Sequence, residues 1–370
     1  MKKYCNRSIL VSLNLPLITD ISSLSRELRL SEKLVYFLAS EKTSGKYKTF
    51  KIPKHDGSFR TIYAPVYSLK LVQRWVLENI LYKIKVSEYS YGFKNDKNGS
   101  PLVACGNAHK ENLYLLKMDI KDFYPSIQRK QVYRQFINVG YNTYAANLLT
   151  NLCYCKDGLP QGAVTSAYLA NLICHKLDIR ISEYCNKRDI TYTRYADDLA
   201  FSSDNRDALR RIYKMIIKIV SDEGFEINDK KTQFLTPKGH KVLLGLTMND
   251  SNLKAPKEMK KKVRCMIHNS IITGDYSLNP TIMGYISYIF SIEKNYKEKI
   301  KKYINKYYED PITLFQDAVD SFNRNKLFQD LPDMQVHQIE KFEADPSEAY
   351  NAYESFFEER KEFITRHNKK

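Results

Sequence analysis

Leu24, Leu28, Leu34 and Leu38 recur at helical spacing, which predicts short helices within residues 20–40. The period then changes: Phe50, Ile52 and Ile62 alternate with polar residues around Asp56-Gly57, predicting a β-hairpin over residues 49–63. After Pro65, the positions Leu69, Val72, Val76 and Ile80 form one helix face. Residues 113–118 are a short apolar run suited to a buried strand, and the run ends on Asp119. Residues 129–155 read as helical. The loop Gly158-Leu159-Pro160-Gln161-Gly162 opens a long helix with Ala170, Ile173, Leu177 and Ile181 on one side. Two strands, 190–195 and 199–202, flank Ala196-Asp197-Asp198. A helix over about 206–222, a strand after Gly224 and another over 242–248 follow. Residues 256–308 read as helical, with basic residues interleaved among Val263, Met266 and Ile267. Residues 309–370 read as an added helical module, entered at Asp310-Pro311 and interrupted at Leu331-Pro332.

The order strand, helix, strand–turn–strand, helix, strand between 113 and 248 implies an antiparallel sheet backed by helices, an α+β arrangement. Asp119 and Asp197 then end on neighbouring central strands. The formal charge of +17 favours a polyanionic partner, although a solvated Lys-rich surface gives the same number. The charge is uneven. Residues 331–360 carry eight acids against Lys341 and Arg360, so the basic surplus lies upstream of the tail.

No apolar run reaches the roughly 18 residues that a membrane span needs, and the basic start 1–7 runs into Val11-Ser12-Leu13-Asn14-Leu15-Pro16, which breaks a signal-peptide core. The expectation is a cytoplasmic protein with no membrane partner. Its seven cysteines then read as reduced thiols; Cys153 and Cys155, one residue apart, are poorly spaced for a zinc ribbon.

Two adjacent carboxylates at a strand turn and a third at another strand's end can hold two divalent cations against a triphosphate. Mg²⁺ keeps several waters and takes few protein oxygens, so Asp119, Asp197 and Asp198 suffice, helped by the Ile120 carbonyl. Tyr195-Ala196-Asp197-Asp198 alone is a weak signal, since Asp is a common turn residue. Its company strengthens it: Tyr124 lies five residues after Asp119, Leu159-Pro160-Gln161-Gly162 lies between the acids, and Asn228-Asp229-Lys230-Lys231-Thr232 follows the next helix. Singly, Tyr124 reads equally as core, Gln161-Gly162 as a turn and Lys231 as a solvated charge.

On these motifs the chain resembles the bacterial retron-type reverse transcriptases over roughly residues 48–300. The resemblance implies a right-hand polymerase: N-terminal helices and fingers over 1–108, a palm over 109–250 with a fingers insertion near 129–157, a helical thumb over 251–308, and a C-terminal helical extension over 309–370. It implies catalysis by Asp119, Asp197 and Asp198 with two Mg²⁺ ions. Tyr124 matches the residue that crowds a 2′-hydroxyl, and Gln161 and Gly162 match the loop that packs on the incoming dNTP. Lys54 and Arg60 match triphosphate contacts, where Arg offers a bidentate grip, with an exposed hairpin pair as the plainer reading. Lys231 matches a lysine at the departing pyrophosphate, a role adjacent Lys230 could equally serve. His109, ten residues ahead of Asp119, matches a retron histidine.

Lys257, Lys260, Lys261, Lys262 and Arg264 lie on a predicted thumb helix opposite Val263, Met266 and Ile267, as a nucleic-acid-binding face requires; a solvated helix face has the same pattern. The resemblance further implies a cognate structured noncoding RNA as template, single-stranded DNA as product, a role in antiphage defence and an effector protein, for which the aromatic stripe Tyr350, Tyr353, Phe356 and Phe357 is a docking face if it is not internal packing. Two alternatives stay open: a defence enzyme making untemplated or repetitive DNA, and an RNA-binding scaffold for an effector.

Overall fold

The computed structural model describes residues 4–305, except 43, 54–56, 95–98, 157 and 250–251. Lys54 and the extension over 309–370 therefore lie outside the described residues, as do 306–308. Three short helices open the chain: α1 (Arg7–Ser12), α2 (Ile21–Leu28) and α3 (Glu32–Leu38). Asp20 and Ser23 form a reciprocal capping box at α2, and Ser31 caps α3, so each helix starts where a side chain satisfies its free N–H groups. A two-stranded antiparallel hairpin follows, β1 (Tyr47–Pro53) and β2 (Phe59–Pro65). Its alternation is as expected, but its packing is not. Phe50 is 48% exposed and Ile52 45%, since among the described residues only the β2 side of the hairpin packs, through Ile62 and Tyr63, against the loop 158–162.

Helix α4 (Tyr67–Asn79) buries Leu69, Val72 and Val76, with Ile80 just beyond its end. Helix α5 (Pro101–His109), started by Pro101, leads into β3 (Tyr114–Asp119), then α6 (Phe123–Ser126), α7 (Arg129–Asn138) and α8 (Thr143–Cys153). The expected long helix after Gly162 is two, α9 (Ser166–Ile173) and α10 (His175–Asn186), separated at Cys174, whose φ/ψ of −77°/0° interrupts the helix. Then come β4 (Thr191–Tyr195), β5 (Asp198–Ser203) and α11 (Arg206–Asp222).

The central sheet has the order β4-β5-β3-β6, wholly antiparallel, where β6 is Gln233–Leu235. The strand expected directly after Gly224 reduces to a single bridge between Ile227 and Ile120. The strand expected over 242–248 is instead a hairpin, β7 (Val242–Leu243) and β8 (Leu246–Asn249), extended by β9 (Asn252–Lys254). Leu244 and Gly245 both have positive φ there (51° and 79°), the turn geometry that matches strand twist. Three helices close the described chain: α12 (Lys257–Thr273), α13 (Asn279–Ile292) and α14 (Tyr296–Asn305).

Side-chain alternation divides the sheet into two faces. Leu116, Met118, Leu199 and Phe201 join the main core, where Leu209, Ile212 and Ile216 of α11 also pack. Leu115 and Ala200 face the other way, into a smaller core with Cys105 of α5 and Leu243, Leu246, Met248 and Leu253 of the β7–β9 sheet. By the same alternation, Asp119 and Asp198 belong to this second face. The last three helices have a core of their own, built on Val263, Ile267, Ile282, Ile286, Ile289 and Ile300. No helix among the described residues is long and apolar enough to cross a membrane.

Candidate active site

In the antiparallel ladder Asp119 is the direct partner of Asp198, and Tyr195 pairs with Asp198 across the β4–β5 turn. Direct partners have Cα atoms about 4.5–5.5 Å apart with side chains on one face. Asp197 sits in the turn itself, where its carbonyl accepts the Ile120 N–H at 2.9 Å. The Asn228 N–H in turn donates to the Asp119 carbonyl at 2.8 Å. The three acids thus reach one end of the sheet by backbone pairing. They line an open cleft of about 1160 Å³, together with Arg60, Ile120, Tyr124, Gln161, Gly162 and Lys231.

The electrostatics follow from that crowding. Burial pushes Asp198 up to about 6, and Asp197 and Asp119 add to the effect; Asp197 is raised for the same reasons. Lys231 Nζ donates to Asp119 Oδ1 at 2.9 Å, a contact that raises the lysine's own pKa. Among the described residues, no three carboxylate, imidazole or thiolate side chains stand at metal-ligand spacing, and Asp119 is paired with this ammonium. The donor set nevertheless fits a hard cation: three carboxylates share one small region, and two of them hold protons more tightly than free Asp.

The expected nucleotide residues surround the acids. Tyr124 is partly buried, and burial pushes its hydroxyl up to about 12. The loop 158–162 is clamped from both sides. A Cβ on Gly158 (φ 154°) would meet Pro125 Cα at 2.5 Å, and one on Gly162 (φ 126°) would meet the Tyr63 carbonyl at 2.9 Å. The Tyr63 N–H also donates to the Gln161 carbonyl at 2.9 Å, so the loop joins β2 to Tyr124. Gln161 Oε1 is buried without a hydrogen-bond partner. Arg60 and Ile62 share one face of the hairpin, and Ile62 Cγ2 lies 3.1 Å from the Gly162 Cβ position, so that face is turned to the cleft. Lys257, Lys261 and Arg264 are exposed on α12 and do not line this cleft. Lys260 is diverted: its ammonium pairs with Glu293 at 2.7 Å.

One positioning group was not singled out from the sequence. Arg194, immediately before the Tyr195-Ala196-Asp197-Asp198 turn, is wholly buried. Its Nε and Nη2 each donate to a carboxylate oxygen of Asp178 at 2.7 Å, and its Nη1 donates to Asn171 Oδ1 at 3.0 Å and to the Ala196 carbonyl at 3.2 Å. Burial alone would lower its pKa; Asp178 more than offsets this and holds the guanidinium charged. Ala196 has a φ of 56°, which a non-glycine residue adopts only when neighbours hold it there. A charged residue within the β-branched and aromatic strand segment 190–195 was the available signal, since a buried cation requires a partner. His109, matched on register alone, is also structural: it lies between Thr193 Oγ1 (2.7 Å) and Ser202 Oγ (2.6 Å), and burial lowers its pKa to about 3, so it is neutral.

Comparison with known proteins agrees with this architecture. The family described as reverse transcriptase (RNA-dependent DNA polymerase) matches residues 52–270. The retron Ec86 reverse transcriptase of Escherichia coli is 33% identical over 306 residues, covering 82% of this chain and 94% of that protein. The chain belongs to the retron-type reverse transcriptases. The retron Mx65 reverse transcriptase of Myxococcus xanthus is 30% identical over 69% of this chain and 64% of its own length. Among solved structures, telomerase from Candida albicans aligns with a TM-score of 0.46 and 13% identity, over 83% of this chain and 60% of that one. As a reverse transcriptase the chain is an RNA-directed DNA polymerase, with an RNA template and a DNA product, in a family that uses divalent metal ions.

Two outcomes test this geometry. Asp198 in the folded chain titrates near 6, against an ordinary 3.8. Between about pH 4 and 6 the folded state therefore binds more protons than the unfolded one, and metal-free stability falls as pH rises through that window. Asp198→Asn should reduce this slope, leaving the part due to Asp197, and stabilise the metal-free chain by about 1–3 kcal/mol above pH ~6, read by urea unfolding in EDTA; an unaltered slope contradicts the crowding. Arg194→Lys retains charge but loses the fork, so kcat for single-nucleotide addition should fall about tenfold to a hundredfold with KM for dNTP nearly constant. Wild-type kcat in a folded variant would make Arg194 a stability residue only.

Proposed function

We propose that this reverse transcriptase copies a cognate structured noncoding RNA into single-stranded DNA joined to it, the retron product, in antiphage defence. The observation that carries the reading is the Asp119–Asp198 ladder pair with Asp197 in the adjoining turn, opening onto a cleft shared with Tyr124, Gln161 and Arg60. Asp119, Asp197 and Asp198, with the Ile120 carbonyl, would hold two Mg²⁺ ions. Such ions lower the pKa of a 3′-hydroxyl and neutralise pyrophosphate charge.

The chain's own groups supply the rest. Lys231, now on Asp119, is within reach of the same acids a triphosphate must approach; released by cations, its ammonium would shield the departing pyrophosphate. Tyr124 would stand against the sugar and exclude a 2′-hydroxyl. Arg60, with Lys54, would grip the triphosphate, while Gln161 and Gly162 would pack under the new base pair. Residues 1–108 would serve as N-terminal helices and fingers, 109–250 as palm with the 129–157 insertion, and 251–308 as a thumb whose Lys257, Lys260, Lys261 and Arg264 meet nucleic acid. An effector protein would dock through 309–370, and the enzyme would act in the cytoplasm.

Sequencing the nucleic acid that co-purifies with the protein tests the proposal: RNA covalently joined to one defined DNA supports it, whereas repetitive DNA without a template contradicts it. Asp197→Asn should reduce dNTP incorporation below detection while RNA retention on the protein stays within about twofold, and persisting synthesis would remove Asp197 from the metal site. Tyr124→Ala should raise rNTP use relative to dNTP by about tenfold or more, since the exclusion is steric; an unchanged ratio refutes that role.

A further inference from the structure

A second recess, of about 410 Å³, lies between α12 and α14 and shares no lining residue with the Asp119, Asp197 and Asp198 cleft. Lys257, Lys261 and Arg264 follow one another at i, i+4 and i+7 on α12, a stripe about 10 Å long, and Lys299 faces them from α14. With Lys260 the recess holds five cations against Glu258 and Glu293, a surplus of three. Glu293 is already committed: it accepts the Ala255 N–H at 2.9 Å and Lys260 Nζ at 2.7 Å, and Lys299 stands 3.8 Å away. The three cations of the α12 stripe remain for an outside anion.

The floor supplies the second observation. Tyr296 is 4% exposed, lines the recess, and its hydroxyl is buried with no hydrogen-bond partner. Burial pushes this hydroxyl up to about 12, so it stays protonated and available as a donor. A buried donor without an acceptor is costly, and a phosphate oxygen is an acceptor that the surrounding cations would hold in place. Tyr303, partly exposed two turns beyond Tyr296 on the same face of α14, adds an aromatic ring to the recess. Cations with an interleaved aromatic ring suit one unpaired nucleotide, phosphate inward and base against the ring, whereas a continuous duplex needs no enclosed recess.

We propose that the recess between α12 and α14 captures a single unpaired ribonucleotide of the bound RNA, phosphate toward Lys261, Arg264 and Tyr296, base against Tyr303. The proposal rests on reading this helical cluster as an RNA-engaging thumb, and extension of oligo(dT) on poly(rA) by the wild-type enzyme reports polymerisation separately.

The test is binding of the full chain to fluorescein-labelled oligo(rU) and to a blunt RNA duplex, measured across a salt series. Tyr303→Ala should weaken oligo(rU) binding by about fivefold or more and leave duplex binding unchanged. Lys261→Ala with Arg264→Ala should lower the single-strand salt slope by about 1.4, the value for two phosphates. Tyr296→Phe, which retains the packing ring, should weaken oligo(rU) by about threefold. Wild-type oligo(rU) affinity in both tyrosine variants, or equal losses on both probes, would overturn the proposal while wild-type extension on poly(rA) leaves the polymerase reading standing. Competition by uridine monophosphate as strong as by oligo(rU) would assign the recess to a free nucleotide and reject the RNA form.

Discussion

Pairing Asp119 with Asp198 in an antiparallel ladder forces two carboxylates onto one face at the same end of the sheet, and the next turn adds Asp197. Burial disfavours the ionised carboxylate and the neighbouring like charges add to this, which together push Asp198 up to about 6. A fold that merely maximised stability would not place them there. The chain offsets the repulsion in part with Lys231, whose ammonium occupies Asp119, and a divalent cation would offset it more completely. That standing demand for positive charge is what makes the end of this sheet a site.

Holding the acids in register takes a second, apolar-facing investment. Strand alternation sends Leu116, Met118, Leu199 and Phe201 into the main core, so a one-residue slip would bury the carboxylates and expose the core. Arg194 then fixes the turn by linking Asp178 and Asn171, on the helices behind the sheet, to the Ala196 carbonyl in front. On the opposite side the loop 158–162 touches both the Tyr124 turn and β2, which couples the projecting hairpin to the cleft through backbone contacts only glycine permits. The acids, the Tyr124 turn, the loop 158–162 and the hairpin are therefore held by one connected frame.

Much of this was legible in the residues, for identifiable reasons. The apolar run ending on Asp119, the two strands around Asp197-Asp198 and the helix over 206–222 are local patterns, and local patterns survive folding. What stayed hidden depends on distant partners. Arg194 reads as an ordinary strand cation until Asp178, sixteen residues earlier, is brought against it. Lys260 reads as a free thumb charge until Glu293 arrives from the end of α13. The turn at Leu244-Gly245 lacks the usual Asn-Gly signature, so residues 242–248 read as one strand. Phe50 and Ile52 alternate as a buried strand would, yet among the described residues both side chains stay about half exposed.

The central claim is that the three carboxylates share cations once Lys231 leaves Asp119. Anomalous diffraction from the enzyme crystallised with an RNA–DNA duplex, a non-hydrolysable dNTP and Mn²⁺ addresses it directly. The account predicts two anomalous peaks bridged by Asp119 and Asp197, with the Lys231 ammonium displaced toward the triphosphate. Peaks that touch neither carboxylate, or a Lys231–Asp119 contact that persists beside bound nucleotide, would contradict it.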